Sequence, residues 1–359
     1  MTETGSIFVQ ISDENLHLVR CLLDEVFGSK NFCKIIPFQK TSGQDSRILA
    51  TTLDYLIWYS KNIDVVKFRP LYQERAVGDK SLDRYDQLLL FDGSTRRVNR
   101  EEIKTGTIPD IGKRYQLSAL YSDGDSQGEQ KFNFEGHDYY PRAGTHWKTT
   151  IRGLKNLAFC QRVEKLGRVI RYRRFVDDFP VIPITDRWDS VQLGTEKSYV
   201  VETSPKVIER CLLMTTDPGD LVLDPTMGSA TTAYVAEQWG RRWITIDTSR
   251  VALALARTRL MSAKYNYYLL ADSPEGIEKE AEITRKLPSI NPKTEGNIKK
   301  GFVYKRVPHI MLSDIANNPE IDIIHDKWQQ KLESIRTQLN QLLKKSWEDW
   351  EIPREPGDK

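Results

Sequence analysis

Residues 221–247 read LVLDPTMGSATTAYVAEQWGRRWITID. The apolar start (221–224) reads as a strand, and the stretch from about 231 to 239 has helical spacing. A second apolar run, 243–247, ends on Asp247. Strand, small-residue loop, helix and strand in this order form a βαβ unit, whose two strands lie parallel in one sheet. The loop of small residues joins the carboxyl end of one strand to a helix amino terminus. There a ligand can approach the backbone and meet free N–H groups at the positive end of the helix dipole. Asp247 stands nineteen residues beyond Gly228, close to the ~20 at which an acidic residue meets ribose hydroxyls.

That much suits any nucleotide-binding unit, a nicotinamide-dependent oxidoreductase included. Three features argue against the nicotinamide. The loop is not GxGxxG, it has no second glycine to admit a pyrophosphate, and Asp224-Pro225 fixes a carboxylate at the strand end. A carboxylate before the glycine and another on the ribose suit a cationic cofactor with an amino-acid tail. S-adenosylmethionine (AdoMet) has that chemistry.

Regular patterns flank this unit. Ser204-Pro205 starts a helix as N-cap and first helical residue, a further helix runs on from Thr248, and YYLLAD (267–272) reads as a third strand. Near the amino terminus, residues 5–11 alternate as a strand. Leu16, Val19, Leu22, Leu23 and Val26 mark a helix, and 32–38 and 48–61 read as further strands. From about 65 to 197 the periodicity is poor and turn clusters abound, so this is an irregular inserted module. Residues 287–300 read as a linker. A helix from about 322 to 347 carries an apolar stripe through Trp328, Leu332, Ile335, Leu339 and Leu342, expected to pack on a neighbour.

The net charge of +3 over 359 residues selects no partner. Its distribution is more informative. Between Pro141 and Pro180 ten basic residues face three acidic ones, with Trp147, Phe159, Tyr172 and Phe175 interleaved. This is either a phosphate-contacting surface or a solvated helix face over core aromatics. Cys21, Cys33, Cys160 and Cys211 show neither disulfide nor metal spacing and read as reduced thiols of a cytoplasmic protein. No apolar run approaches the ~20 residues of a membrane span, and the first residues do not read as a secretory signal.

The stretch LDPTMGSATT resembles the AdoMet motif, DPFxGSGTT, of amino-group DNA methyltransferases that carry this motif late in the chain. The Mod subunits of type III restriction–modification systems are among them. The stretches 5–32 and 49–62, the run YVVETSPK…ARTRL (199–260), RYRRFVDDFPV and YKRVPHIMLSDIANNPEID are similar to a Mod-like subgroup. The resemblance implies an α/β fold: a Rossmann-like AdoMet-dependent methyltransferase in permuted order, with an inserted target recognition domain and a helical extension. Residues 1–64 and 198–275 would form the methyltransferase domain, 65–197 the recognition domain, and 276–359 the linker and extension. Asp224, Pro225, Thr226, Gly228, Ser229, Ala230, Asp247 and Thr203 would bind AdoMet, with Lys206 a lesser candidate. Arg142, Lys148, Arg152, Arg171, Arg173 and Arg174 would contact double-stranded DNA. The implied reaction is methylation of an adenine N6, with cytosine N4 as the alternative.

Two departures from the family pattern matter. Its catalytic Asp-Pro-Pro-aromatic tetrapeptide occurs nowhere in these 359 residues, so no catalytic residue is assigned. The chain is therefore expected to be inactive alone, either a non-catalytic remnant or a fragment completed by a polypeptide carrying the missing segment. A restriction subunit would be a further partner. Ala230 replaces the usual second glycine; if its φ is positive, alanine costs roughly 1–2 kcal/mol and weakens cofactor binding. Asp272, at the end of the expected third strand, could approach the cofactor adenine or cap a helix. His137, His146 and His309 read as surface or packed residues.

Overall fold

A computed structural model describes residues 1–40, 49–75, 79–105, 112–125, 128, 130–189, 203–284 and 293–353. Residues 199–202 of the family-like stretch and the first part of the expected linker lie outside these. The chain divides into two units, residues 1–73 with 183–306 and residues 74–182 with 307–359. The first unit's principal elements begin with β1 (Ser6–Ile11), α1 (Leu16–Phe27), β2 (Phe32–Gln39) and β3 (Leu53–Ser60). The second unit contributes β4 (Gln87–Leu90), β5 (Thr95–Arg97), β6 (Gly112–Ala119), α2 (Ile151–Phe159), β7 (Val163–Leu166) and β8 (Val169–Phe175). The first resumes with α3 (Pro205–Thr215), β9 (Leu221–Asp224), α4 (Thr231–Gln238), β10 (Arg242–Thr245) and α5 (Arg250–Ser262). The second ends with α6 (Pro319–Leu343).

In the first unit β3 lies between β1 and β2, antiparallel to both. The pleat sends Ile7, Val9, Ile11, Ile57 and Tyr59 to one face, where Leu16, Val19 and Leu23 of α1 cover them. Phe8, Ile36, Phe38 and Leu56 go to the other face, under Val207, Cys211 and Met214 of α3. The strands β9 and β10 are parallel, as the βαβ reading requires, with Leu221 opposite Arg242 and Asp224 opposite Thr245. Their inner face, Val222 and Trp243, packs under α3 and α4. Their outer face carries Leu221, Leu223, Ile244 and Ile246, all about half exposed.

The expected third strand at 267–272 is not one. Only Leu270 forms a β-bridge, antiparallel to Phe302, and Ala271 and Leu269 exchange backbone hydrogen bonds with Gly301 and Val303. Its partner is a later loop and not β10.

The second unit contains more order than its sequence suggests. A five-stranded antiparallel sheet runs β7-β8-β6-β4-β5. Its buried face includes Leu120, Val163, Ile170 and Tyr172, packed with Leu154 and Leu157 of α2. Inside this unit Arg162 donates to both carboxylate oxygens of Asp178, at 2.6 and 2.8 Å, and the Phe175 N–H bonds to the same carboxylate. The stripe on α6 does not behave as expected. Ile321 packs on the core, but Trp328, Leu332, Ile335 and Leu342 are exposed.

Candidate functional site

The turn after β9 is held by its own side chains. Asp224 Oδ1 accepts from the Thr226 N–H (3.0 Å) and hydroxyl (3.4 Å), an Asx turn that aims the backbone out of the strand. The Met227 N–H donates to the Ile246 carbonyl, and the Ile246 N–H to that of Asp224. These bonds continue the β9–β10 ladder past the strand ends, bringing both strand termini to one place. Gly228, at φ 54°, donates its N–H to Asp247 Oδ2 at 2.8 Å. The other oxygen of Asp247 accepts from the Ser249 N–H at 2.8 Å. The Ser249 and Gly228 amides hold the Asp247 carboxyl below its usual range, so it is an anion at neutral pH. Each oxygen keeps a lone pair for a ligand hydroxyl.

Ala230 is the N-cap of α4, in the left-handed conformation (φ 62°, ψ 27°) and without exposed surface. The conditional expectation therefore resolves to the strained alternative. Its methyl packs with Met227, Ala233, Ala252 and Ala256. The strain is held by neighbours: the Ser229 and Thr231 hydroxyls lie 2.9 Å apart, and Arg259 of α5 donates to the Ser229 carbonyl at 2.9 Å. Sequence reasoning missed Arg259, since a contact across thirty residues leaves no local pattern.

The fold thus brings Asp224, Thr226, Gly228, Ser229, Ala230 and Asp247 into one connected turn, with Pro225 exposed at its tip. Thr203 is placed differently. Its hydroxyl donates to Gln10 of β1 at 2.7 Å, and Gln10 donates to Asp54. Asp272 has a structural role: buried, it accepts from the Asn297 and Glu295 N–H groups and pairs with Lys300. The Asn297 hydrogen bond is first in keeping its carboxyl low.

The basic residues of the second unit divide by the pleat of β8, which sends Arg171 and Arg173 to one face and Arg174 to the other. Arg171 and Arg142 both stack over the Tyr121 ring, at 5.7 and 5.4 Å, and Arg142 and Lys148 are exposed. Arg173 is inward, bonded to Glu164 at 2.8 Å beside Tyr115, which also donates to Glu164. Arg152 pairs with Asp322 at the start of α6. Hence the six arginines and lysines do not form one continuous patch. A small concavity of about 230 Å³ lies beside them, lined in part by Tyr140, Arg142 and Thr145.

A parallel strand pair whose carboxyl ends carry a small-residue turn and a fixed carboxylate is a nucleotide-cofactor half-site on an α/β unit. The N6_N4_Mtase family model, described as DNA methylase, matches residues 1–258, and the chain belongs to that family. Among curated proteins it is similar to the Type II methyltransferase M.EcaI of Enterobacter cloacae, 27% identical over 70% of this chain and 52% of the relative. It is also similar to a probable type III restriction-modification enzyme, the HindVI Mod subunit of Haemophilus influenzae: 24% identical over 72% of this chain and 41% of the relative. The chain thus spans about half the length of these relatives. Among solved structures, the M1.HpyAVI–SAM complex aligns over 72% of this chain and 76% of that one, at 14% identity and TM-score 0.33. The PvuII cytosine-N4-specific DNA methyltransferase aligns over 74% and 67%, at 16% and 0.33. No described helix is long and apolar enough to cross a membrane.

Proposed function

We propose that this chain is the cofactor-binding and DNA-recognition part of an enzyme that methylates an exocyclic amino group in DNA, adenine N6 in a type III-like restriction–modification system. The observation that carries the reading is the turn closed on Asp247 by Gly228. AdoMet would sit on this turn, with Asp247 accepting from the ribose hydroxyls and Asp224 facing the ammonium of the amino-acid tail. When bound, AdoMet supplies an electrophilic methyl group. The chain's own part is to hold charge and orientation: Asp224 and Asp247 bracket a turn whose backbone Arg259 and the Asp247 carboxylate fix, with Ser249 holding that carboxylate, and a preset geometry lowers the entropic cost of reaction. Arg142, Lys148 and Arg171 would meet DNA phosphates, with Tyr121 stiffening two of them.

A second reading follows from the absence of any Asp-Pro-Pro-aromatic string in the sequence: these 359 residues bind cofactor and DNA without transferring methyl alone. A tritium-transfer assay with labelled AdoMet and duplex DNA, beside a calorimetric AdoMet titration, tests both readings. The expected result is saturable binding without transfer. Absence of binding would reject the cofactor reading, transfer by these 359 residues would reject the second reading, and methylcytosine as product would replace adenine N6.

A further inference from the structure

A chain of polar side chains in the first unit starts from a buried carboxylate. Asp54, in β3, is 5% exposed. Its Oδ2 accepts from the Lys40 ammonium and from the Gln10 amide, both at 3.0 Å. The other end of that amide, Gln10 Oε1, accepts from the Thr203 hydroxyl at 2.7 Å. The chemistry of Asp54 fixes the direction of every bond that follows. A carboxylate only accepts, so Gln10 turns its NH2 toward Asp54 and its oxygen toward Thr203. An amide oxygen also only accepts, so the single hydroxyl proton of Thr203 is committed to it. Toward any further group Thr203 offers lone pairs alone. A threonine hydroxyl can ordinarily donate or accept; this one is set as an acceptor from two residues away.

Helix α3 brings that acceptor to the level of the turn after β9. Thr203 stands just before Ser204, the N-cap of α3, and bonds to Gln10 near the carboxyl end of β1. At the other end of α3, the Met214 carbonyl accepts from the Arg69 N–H, and the Lys67 N–H bonds to Thr4, just before β1. Therefore α3 runs antiparallel to β1. After a short turn the chain doubles back into β9, where Val222 packs on the cluster that joins Ile208, Leu212 and Val235. Hence α3 is antiparallel to β9 as well. Lys67 matches the ends independently, since its ammonium reaches Asp220, the residue before β9, at 2.7 Å. Thr203, Asp224 and Asp247 thus lie at one end of the unit, beyond the carboxyl ends of its parallel strands, where ligands of α/β sheets bind.

Resting on the cofactor reading above, we propose that Gln10 and Asp54 are positioning residues that hold Thr203 as an acceptor for the ammonium of the cofactor's amino-acid tail. An ammonium carries three donors, and Asp224 already gives one of its oxygens to Thr226, so a second acceptor beside it completes the set. The tail carboxylate needs donors and gains nothing from Thr203. Asp54 acts through Gln10, and Lys40 balances its charge.

Calorimetric titration of the full chain with three ligands tests this, with urea unfolding to verify that each variant folds. AdoMet has both tail groups, decarboxylated AdoMet keeps the ammonium alone, and methylthioadenosine has neither. Thr203→Val should weaken AdoMet and decarboxylated AdoMet alike, by about tenfold, as loss of a hydrogen bond to a charged group implies. It should leave methylthioadenosine unchanged, and Thr203→Ser should bind all three as the parent does. Asp54→Asn should repeat the valine pattern, because an asparagine can also donate and so lets the Gln10 amide turn over. Gln10→Met, which frees the hydroxyl to rotate, should repeat it at about threefold, the scale of ordering one side chain. Any of three results overturns the proposal: AdoMet binding unchanged in Thr203→Val or in the folded Gln10 and Asp54 variants, decarboxylated AdoMet spared while AdoMet weakens, or methylthioadenosine weakened as much as AdoMet. Those results leave the cofactor reading standing. A parent that binds none of the three ligands would reject that reading, and this proposal with it.

Discussion

Substitution at Ala230 tests the left-handed turn, because three effects of known sign meet at one residue. The alanine sits at φ 62° with no exposed surface, and left-handed backbone costs an L-residue roughly 1–2 kcal/mol. Ala230→Gly releases that strain. It also returns conformational freedom to the unfolded chain, about 0.4–1 kcal/mol, and removes a buried methyl group, about 0.8 kcal/mol. The effects nearly cancel, and the glycine variant should lie within about 1 kcal/mol of the parent. Ala230→Val behaves differently. It keeps the strain, adds a β-branch that left-handed backbone disfavours, and forces two methyl groups between Ala233, Ala252 and Ala256. Overpacking alone costs about 1–3 kcal/mol, so the valine variant should lose roughly 2–4 kcal/mol in all. Urea unfolding followed by tryptophan fluorescence reads both from the midpoint at constant slope. A valine variant as stable as the parent would refute the left-handed, close-packed turn. In calorimetry Ala230→Gly should also tighten AdoMet binding, and an unchanged Kd would assign the strain to folding alone.

Other elements make equally definite predictions. Asp178→Ala strands the Arg162 guanidinium at a site where Asp178 is 3% and Arg162 12% exposed. The loss should be about 3–5 kcal/mol by urea unfolding, and one under 1 kcal/mol would contradict the pairing. The Tyr59 hydroxyl donates to Asp24 at 2.6 Å, and burial, with Asp24, pushes the phenol up to about 12. The same hydrogen bond is the first cause keeping the Asp24 carboxyl below its usual value. A depressed carboxyl stabilises the fold above its ordinary range and loses that contribution as pH falls through its folded value. Tyr59→Phe should therefore lower stability at neutral pH and flatten the acid limb of stability; an unchanged limb would refute the link. Neutralising Arg142, Lys148 and Arg171 together should lower the salt slope of DNA binding by about 0.9 for each phosphate that the variant leaves unneutralised. Arg173→Gln should leave the slope unchanged and lower the unfolding midpoint, since it breaks the bond to Glu164; the reverse pattern would show Arg173 meeting DNA in place of Glu164.

Legibility in the sequence followed the range of the interactions. The unit at 221–247 was readable because its loop and strand ends interact across short intervals, Gly228 to Asp247 for example. Helices α3 and α1 were readable from caps and apolar spacing. The sheet of the second unit was not, since its strands are joined across long intervals, Gln116 to Arg174 for example, and ion pairs such as Arg173–Glu164 look in sequence like a basic surface. The apolar run at 267–272 reads like a strand, but an apolar run does not say which edge it joins, and Leu270 bridges to Phe302. Ala230 was legible as a departure from the motif, but only the backbone angle fixed its sign.

Titration of AdoMet into the full chain by calorimetry, beside Asp247→Asn and Asp247→Ala, tests the account most directly, with urea unfolding to verify that each variant folds. The account predicts one-site, saturable binding by the parent, weakened about tenfold or more when Asp247 loses its charge, as losing a charged hydrogen-bond acceptor implies. Absence of binding by the parent, or equal binding by folded Asp247 variants, would contradict it.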